Sequence, residues 1–99
     1  MPTDDKEPIR HLSDEILIAW VARGDQAALE TLYDRHAAIV LGVCLKIISD
    51  RTTAEDVLQE IFWQVWQRAA TYQNQQGSFT SWLFRIAWEL AREITKKTE

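Results

Sequence analysis

The feature that most constrains this chain is a stripe of apolar and aromatic residues at steps of three and four: Leu29, Leu32, Tyr33, His36, Val40, Val43 and Ile47. That spacing lines one face of an α-helix and does not fit the alternation of a strand. It predicts a long, mostly buried helix. Only three Gly and two Pro occur in 99 residues, so a turn-rich β fold lacks its usual material. A chain this short hides only about 60–65% of its unfolded surface, and large side chains must compensate. Five Trp among ten aromatics can do so.

The remaining segments read the same way. Ser13 is a predicted N-cap, with Asp14 and Glu15 in the first turn and Leu12 able to staple onto Leu17. Ile16, Leu17, Trp20 and Val21 then keep helical spacing until Gly24-Asp25, a stop followed by a new cap. After Ser49-Asp50-Arg51, the run Thr52-Thr53-Ala54-Glu55 matches a capping box with Thr52 as the cap. The third helix buries Val57, Leu58, Ile61, Val65 and Ala69, with Phe62 and Trp66 at the flank; Asp56, Gln59, Glu60, Trp63 and Gln67 fall opposite. The polar segment 71–78 breaks all periodicity. A last helix over about 79–96 buries Phe79, Leu83, Ile86, Leu90 and Ile94 and turns Ser81, Arg85, Trp88, Arg92 and Lys96 outward. The expectation is an all-α fold: a compact bundle of about four helices over residues 12–97, behind a flexible lead-in at 1–11.

Charge and reactive groups narrow the function. The net charge is −4, unevenly spread: residues 1–60 hold twelve acids and six bases, net −6, and residues 61–99 hold five bases and three acids, net +2. A general nucleic-acid glue would be positive throughout, whereas this pattern permits local phosphate contact near the C-terminal end. Cys44 has no partner for an internal disulfide, and no charged-then-apolar leader opens the chain, so a cytoplasmic setting is expected. The longest apolar run, at 37–43, is far too short to span a membrane. His11 and His36 are distant in sequence and no Gly-rich phosphate loop is present; an enzyme is not expected, nor a cofactor. His36 reads as a satisfied boundary histidine and Cys44 as a small hydrophobe. Asp56 and Glu60 lie one turn apart but lack the Glu-x-x-His partners of a dinuclear site, so no metal is expected.

Two features exceed a plain solvated bundle. Trp63 shares its face with Asp56, Gln59, Glu60 and Gln67. It either packs on the first helix or anchors a docking patch with an acidic rim. The loop at 71–78 offers the Tyr72 ring and the amides of Gln73, Asn74, Gln75 and Gln76, beside Arg85, Trp88, Arg92 and Lys96. It is either a solvated linker or a surface for unstacked single-stranded bases.

At these residues the chain resembles a known family. The runs Gly24-Asp25-Gln26-Ala27-Ala28-Leu29-Glu30-Thr31-Leu32-Tyr33-Asp34-Arg35-His36, Ala54-Glu55-Asp56-Val57-Leu58-Gln59-Glu60-Ile61-Phe62 and Gly77-Ser78-Phe79-Thr80-Ser81-Trp82-Leu83-Phe84-Arg85-Ile86-Ala87 are similar to region 2 of bacterial sigma factors. The nearest group is the extracytoplasmic-function type of the sigma-70 family. The resemblance implies a transcription initiation domain that docks on the clamp-helix coiled coil of the RNA polymerase largest subunit and binds the melted promoter −10 element. It assigns polymerase docking to Asp56, Gln59 and Glu60, with Phe62, Trp63 and Trp66 at that surface. Base capture falls on Tyr72, Gln73, Asn74, Gln75, Gln76 and Ser78, and strand contacts on Arg85, Trp88 and Arg92. An anti-sigma factor is a further implied partner. Trp88-Glu89 replaces the basic residue and Asn common in the family, which leaves a second reading: a protein-interaction module that has lost DNA recognition. The family's second DNA-binding domain, region 4, is absent from these 99 residues.

Overall fold

The computed structural model describes residues 9–73 and 77–98. The described residues form four α-helices and no strand: α1 (Asp14–Ala22), α2 (Gln26–Ile47), α3 (Arg51–Arg68) and α4 (Phe79–Thr98), with a 3₁₀ turn at Ala69–Thr71. The fold is an all-α bundle, as the spacing predicts.

Each early boundary has a local cause. The Ser13 hydroxyl accepts the Ile16 amide at 3.2 Å, and Asp14 and Glu15 sit where the helix dipole favours negative charge. α1 stops as Gly24 enters the left-handed region at φ 92°, which its missing Cβ makes inexpensive. Asp25 then caps α2 by accepting the Ala28 amide at 3.0 Å. The start of α3 differs from expectation. Asp50, not Thr52, is the N-cap: its carboxylate accepts both the amide and the hydroxyl of Thr53. The earlier start lets Glu55 pair with Arg51 at 3.1 Å, one turn back. An aspartate cap brings a full negative charge to the helix start, which a threonine hydroxyl cannot.

One core joins all four helices. Leu17, Ile18 and Val21 of α1 meet Ala28, Leu32, Val40 and Cys44 of α2, Ile61 and Val65 of α3, and Phe79, Leu83 and Ile86 of α4. The buried line of α2 is rotated from the predicted stripe. Ala28, Thr31, Leu32, Val40 and Cys44 are the deep residues, whereas Leu29, Tyr33, His36, Val43 and Ile47 are half-buried. Ile39 is 59% exposed, so α2 is long but not mostly buried. Small residues explain the rotation, because Ala28 and Cys44 let neighbouring backbones approach where larger ones would hold them off. In α4, Trp82, Ala87 and Ala91 join the core while Leu90 and Ile94 are half-buried. Ile9, assigned above to the lead-in, is also buried in this core.

Candidate polymerase and nucleic-acid surfaces

The face of α3 opposite the core is where the sequence places it: Asp56, Gln59, Glu60, Trp63 and Gln67 are all exposed. Trp63 is 52% exposed and therefore does not pack away on α1. It lines a groove of about 550 Å³ between α2 and α3, built from Leu29 and Tyr33 on one side and Gln59, Phe62, Trp63 and Trp66 on the other, with Gln26 and Glu30 also in the wall. Phe62 differs from its expected place on the surface. It is only 4% exposed, its ring set edge-on to Tyr33 at 4.9 Å, so it forms the groove floor. The i+4 step from Leu58 turns it inward with the core stripe. Gln59 Nε2 donates to the Tyr33 hydroxyl at 3.1 Å, tying the polar face of α3 to α2. Glu60 accepts from Gln64 Nε2 at 3.3 Å. The arrangement presents apolar rings beside carboxylates and amides, a composition suited to an apolar and basic partner surface. Sequence reasoning missed the α2 wall. Tyr33 was visible as part of a stripe, but nothing local showed that its ring borders solvent.

The second surface runs along α4. Ser78, Ser81, Arg85, Trp88, Arg92 and Lys96 follow steps of three and four and are all exposed. Trp88 is 46% exposed. Glu89 and Glu93 line the same shallow groove as Arg85, Trp88, Arg92 and Lys96, so this face carries both signs of charge. The Ser78 hydroxyl accepts the Ser81 amide at 3.1 Å and thereby caps α4.

The connection from α3 to α4 is tethered at its ends. The Tyr72 hydroxyl donates to the Gly77 carbonyl at 3.0 Å. Its ring stands edge-on to Phe79 at 6.2 Å and to Trp82 at 5.5 Å. Expected as an open stacking face, Tyr72 is instead half-buried and occupied with its own loop, because two aromatic edges of α4 compete for the same ring. Burial pushes its hydroxyl above the usual tyrosine range, aided by the negative charges of Glu15 and Asp14. Gln73 is exposed. Asn74, Gln75 and Gln76, expected to take part in base capture, lie outside the described residues.

The other singled-out groups have structural partners. His36 Nε2 lies 3.0 Å from Asp14, whose second oxygen accepts from Arg35 at 3.0 Å. His36 is thus a satisfied boundary histidine. Cys44 is fully buried, and burial raises its thiol above the usual range. Among the described residues no cluster of three or more metal-binding side chains occurs, and no helix is long and apolar enough to cross a membrane.

The sigma-70 region 2 family model matches residues 32–98, which include most of α2 and all of α3 and α4. The chain belongs to that family. Among curated proteins it is similar to the ECF RNA polymerase sigma factor SigK of Mycobacterium sp. (strain KMS), 32% identical over 85 residues, covering 86% of this chain and 44% of the relative. It is also similar to the ECF RNA polymerase sigma factor SigK of Mycobacterium tuberculosis (strain ATCC 25618 / H37Rv), 35% identical over 81 residues, covering 81% of this chain and 43% of the relative. The chain therefore spans less than half the length of these relatives. No solved structure matches it.

Proposed function

We propose that this chain is the polymerase-docking and −10-binding module of a transcription initiation factor. The clamp-helix coiled coil of the RNA polymerase largest subunit seats on the exposed face of α3 and its groove with α2. The observation that carries this reading is Trp63, held half in water above Phe62 and beside Tyr33. Keeping an indole exposed forfeits burial energy that a partner can recover. Asp56 and Glu60 supply the acidic rim for a basic partner, and an anti-sigma factor could cover the same face.

The non-template strand of the −10 element then runs along Arg85, Trp88 and Arg92, with a flipped base taken by the loop at 72–78. Stacking on an aromatic ring returns about 1–3 kcal/mol per base, comparable to the few kcal/mol that unstacking costs. With a net charge of −4 the chain alone attracts duplex DNA poorly, so promoter contact depends on polymerase. The test is affinity for core polymerase: Asp56→Ala and Glu60→Ala each weaken it while the melting curve stays put. Unchanged affinity in both variants sinks the docking assignment.

A second reading is favoured by Glu89 and Glu93, both exposed in the groove that holds Arg85 and Arg92. These carboxylates repel phosphates, as suits a protein-interaction module that has lost DNA recognition. Polymerase docking without any binding of single-stranded −10-like DNA would support it.

A further inference from the structure

The first amide of α4 is not capped by its own neighbourhood. Ser78 serves the Ser81 amide, and the Phe79 N–H instead donates to Glu15 Oε2 at 3.0 Å, across 64 positions of chain. Glu15 also lies in the first turn of α1, so one carboxylate sits at the positive ends of two helices. Its neighbour Asp14 holds α2 through Arg35 and His36, and the His36 ring lies 5.6 Å from that of Phe79. The first turn of α1 therefore grips both α2 and the start of α4. Phe79 is fully buried and meets Tyr72 edge-on, and Tyr72 in turn holds the Gly77 carbonyl.

We infer that Glu15 is a positioning residue for strand capture: from α1 it fixes where α4 begins, and with it the placement of the two loop ends at Tyr72 and Gly77. The functional part rests on the proposed role of that loop. An apolar residue at position 15 could still continue α1, but it would leave the buried start of α4 without an acceptor. Glutamine keeps an oxygen for the Phe79 amide; alanine removes it.

The experiment compares the wild-type chain with Glu15→Gln and Glu15→Ala in two measurements. Amide hydrogen exchange is followed at Phe79, with Ile61 and Val65 of α3 as internal references. Phe79 exchange in Glu15→Ala is expected to rise by at least about tenfold, with the α3 amides unchanged and Glu15→Gln close to wild type. Equal Phe79 exchange in Glu15→Ala and wild type overturns the inference, as does an equal loss of protection throughout α3. Binding of fluorescein-labelled, random-sequence single-stranded DNA is then measured with each chain bound to core polymerase. Glu15→Ala is expected to bind several-fold more weakly and Glu15→Gln to restore most of the affinity, with polymerase affinity equal in all three. Wild-type binding that Glu15→Ala leaves intact overturns the inference alone. A wild-type complex that ignores the DNA, while Phe79 exchange responds, overturns the strand-capture reading instead.

Discussion

The Tyr72 hydroxyl and the Gly77 carbonyl, 3.0 Å apart, close the stem of the α3–α4 connection. Gly77 adopts φ 123°, a backbone region that a side chain at this position would strain. The hydroxyl must keep its proton to donate. Its folded pKa is raised, by burial first and then by Glu15 and Asp14, so its contribution to stability is complete below the usual tyrosine range. That contribution is lost as pH rises through the raised value. Tyr72→Phe is expected to melt earlier than wild type at neutral pH, with the gap closing on the alkaline side. Parallel melting curves at every pH would remove the assignment.

Adjacent aromatics on α3 should respond in opposite ways. Phe62→Ala empties the groove floor and is expected to destabilise the fold by about 3–5 kcal/mol. Trp63→Ala removes a half-exposed ring and should cost clearly less, about 1–2 kcal/mol, yet weaken polymerase binding by about 2 kcal/mol or more. Chemical denaturation and a polymerase binding assay separate the two.

Leu58 and Ile86 are buried on α3 and α4. Truncating either to alanine is expected to cost about 2–5 kcal/mol, since the surrounding helices collapse only partly into the space left. Thermal melts decide this, and a loss well below about 1 kcal/mol would mean that the core is looser than its packing implies.

The start of α3 offers a paired test. Asp50 is held below the usual carboxylate range by the Thr53 hydroxyl, and then by the Thr53 amide. A lowered folded pKa means its contribution is present above the ordinary aspartate range and disappears as pH falls through the lowered value. Asp50→Ala is expected to lower the melting temperature at pH 7 and to lose that part of the acid dependence. Thr52→Ala should do neither, because its side chain does not cap the helix. Equal melting temperatures for the two variants would return the cap to Thr52.

What the sequence disclosed divides along the range of the forces involved. The outward residues of α3 and α4 were legible because helical periodicity is local, and Asp56, Glu60, Arg85 and Arg92 all lie where spacing puts them. The cap of α3 lies two residues ahead of Thr52, since Asp50-Arg51-Thr52-Thr53 offers several oxygen caps and spacing alone does not rank them. Phe62 and Tyr72 were harder. Whether an aromatic ring faces water depends on which rings of other helices reach it, here Tyr33 for one and Phe79 with Trp82 for the other. The grip of Glu15 on Phe79 left no trace in pattern at all, because its partners share neither a segment nor a period.

That long grip also orders events in time. A ribosome releases Glu15 well before Phe79, so the acceptor is synthesised ahead of the helix whose start it serves. Closing so wide a loop is entropically slow; the final helix can therefore form locally first and find its registered starting point only on docking.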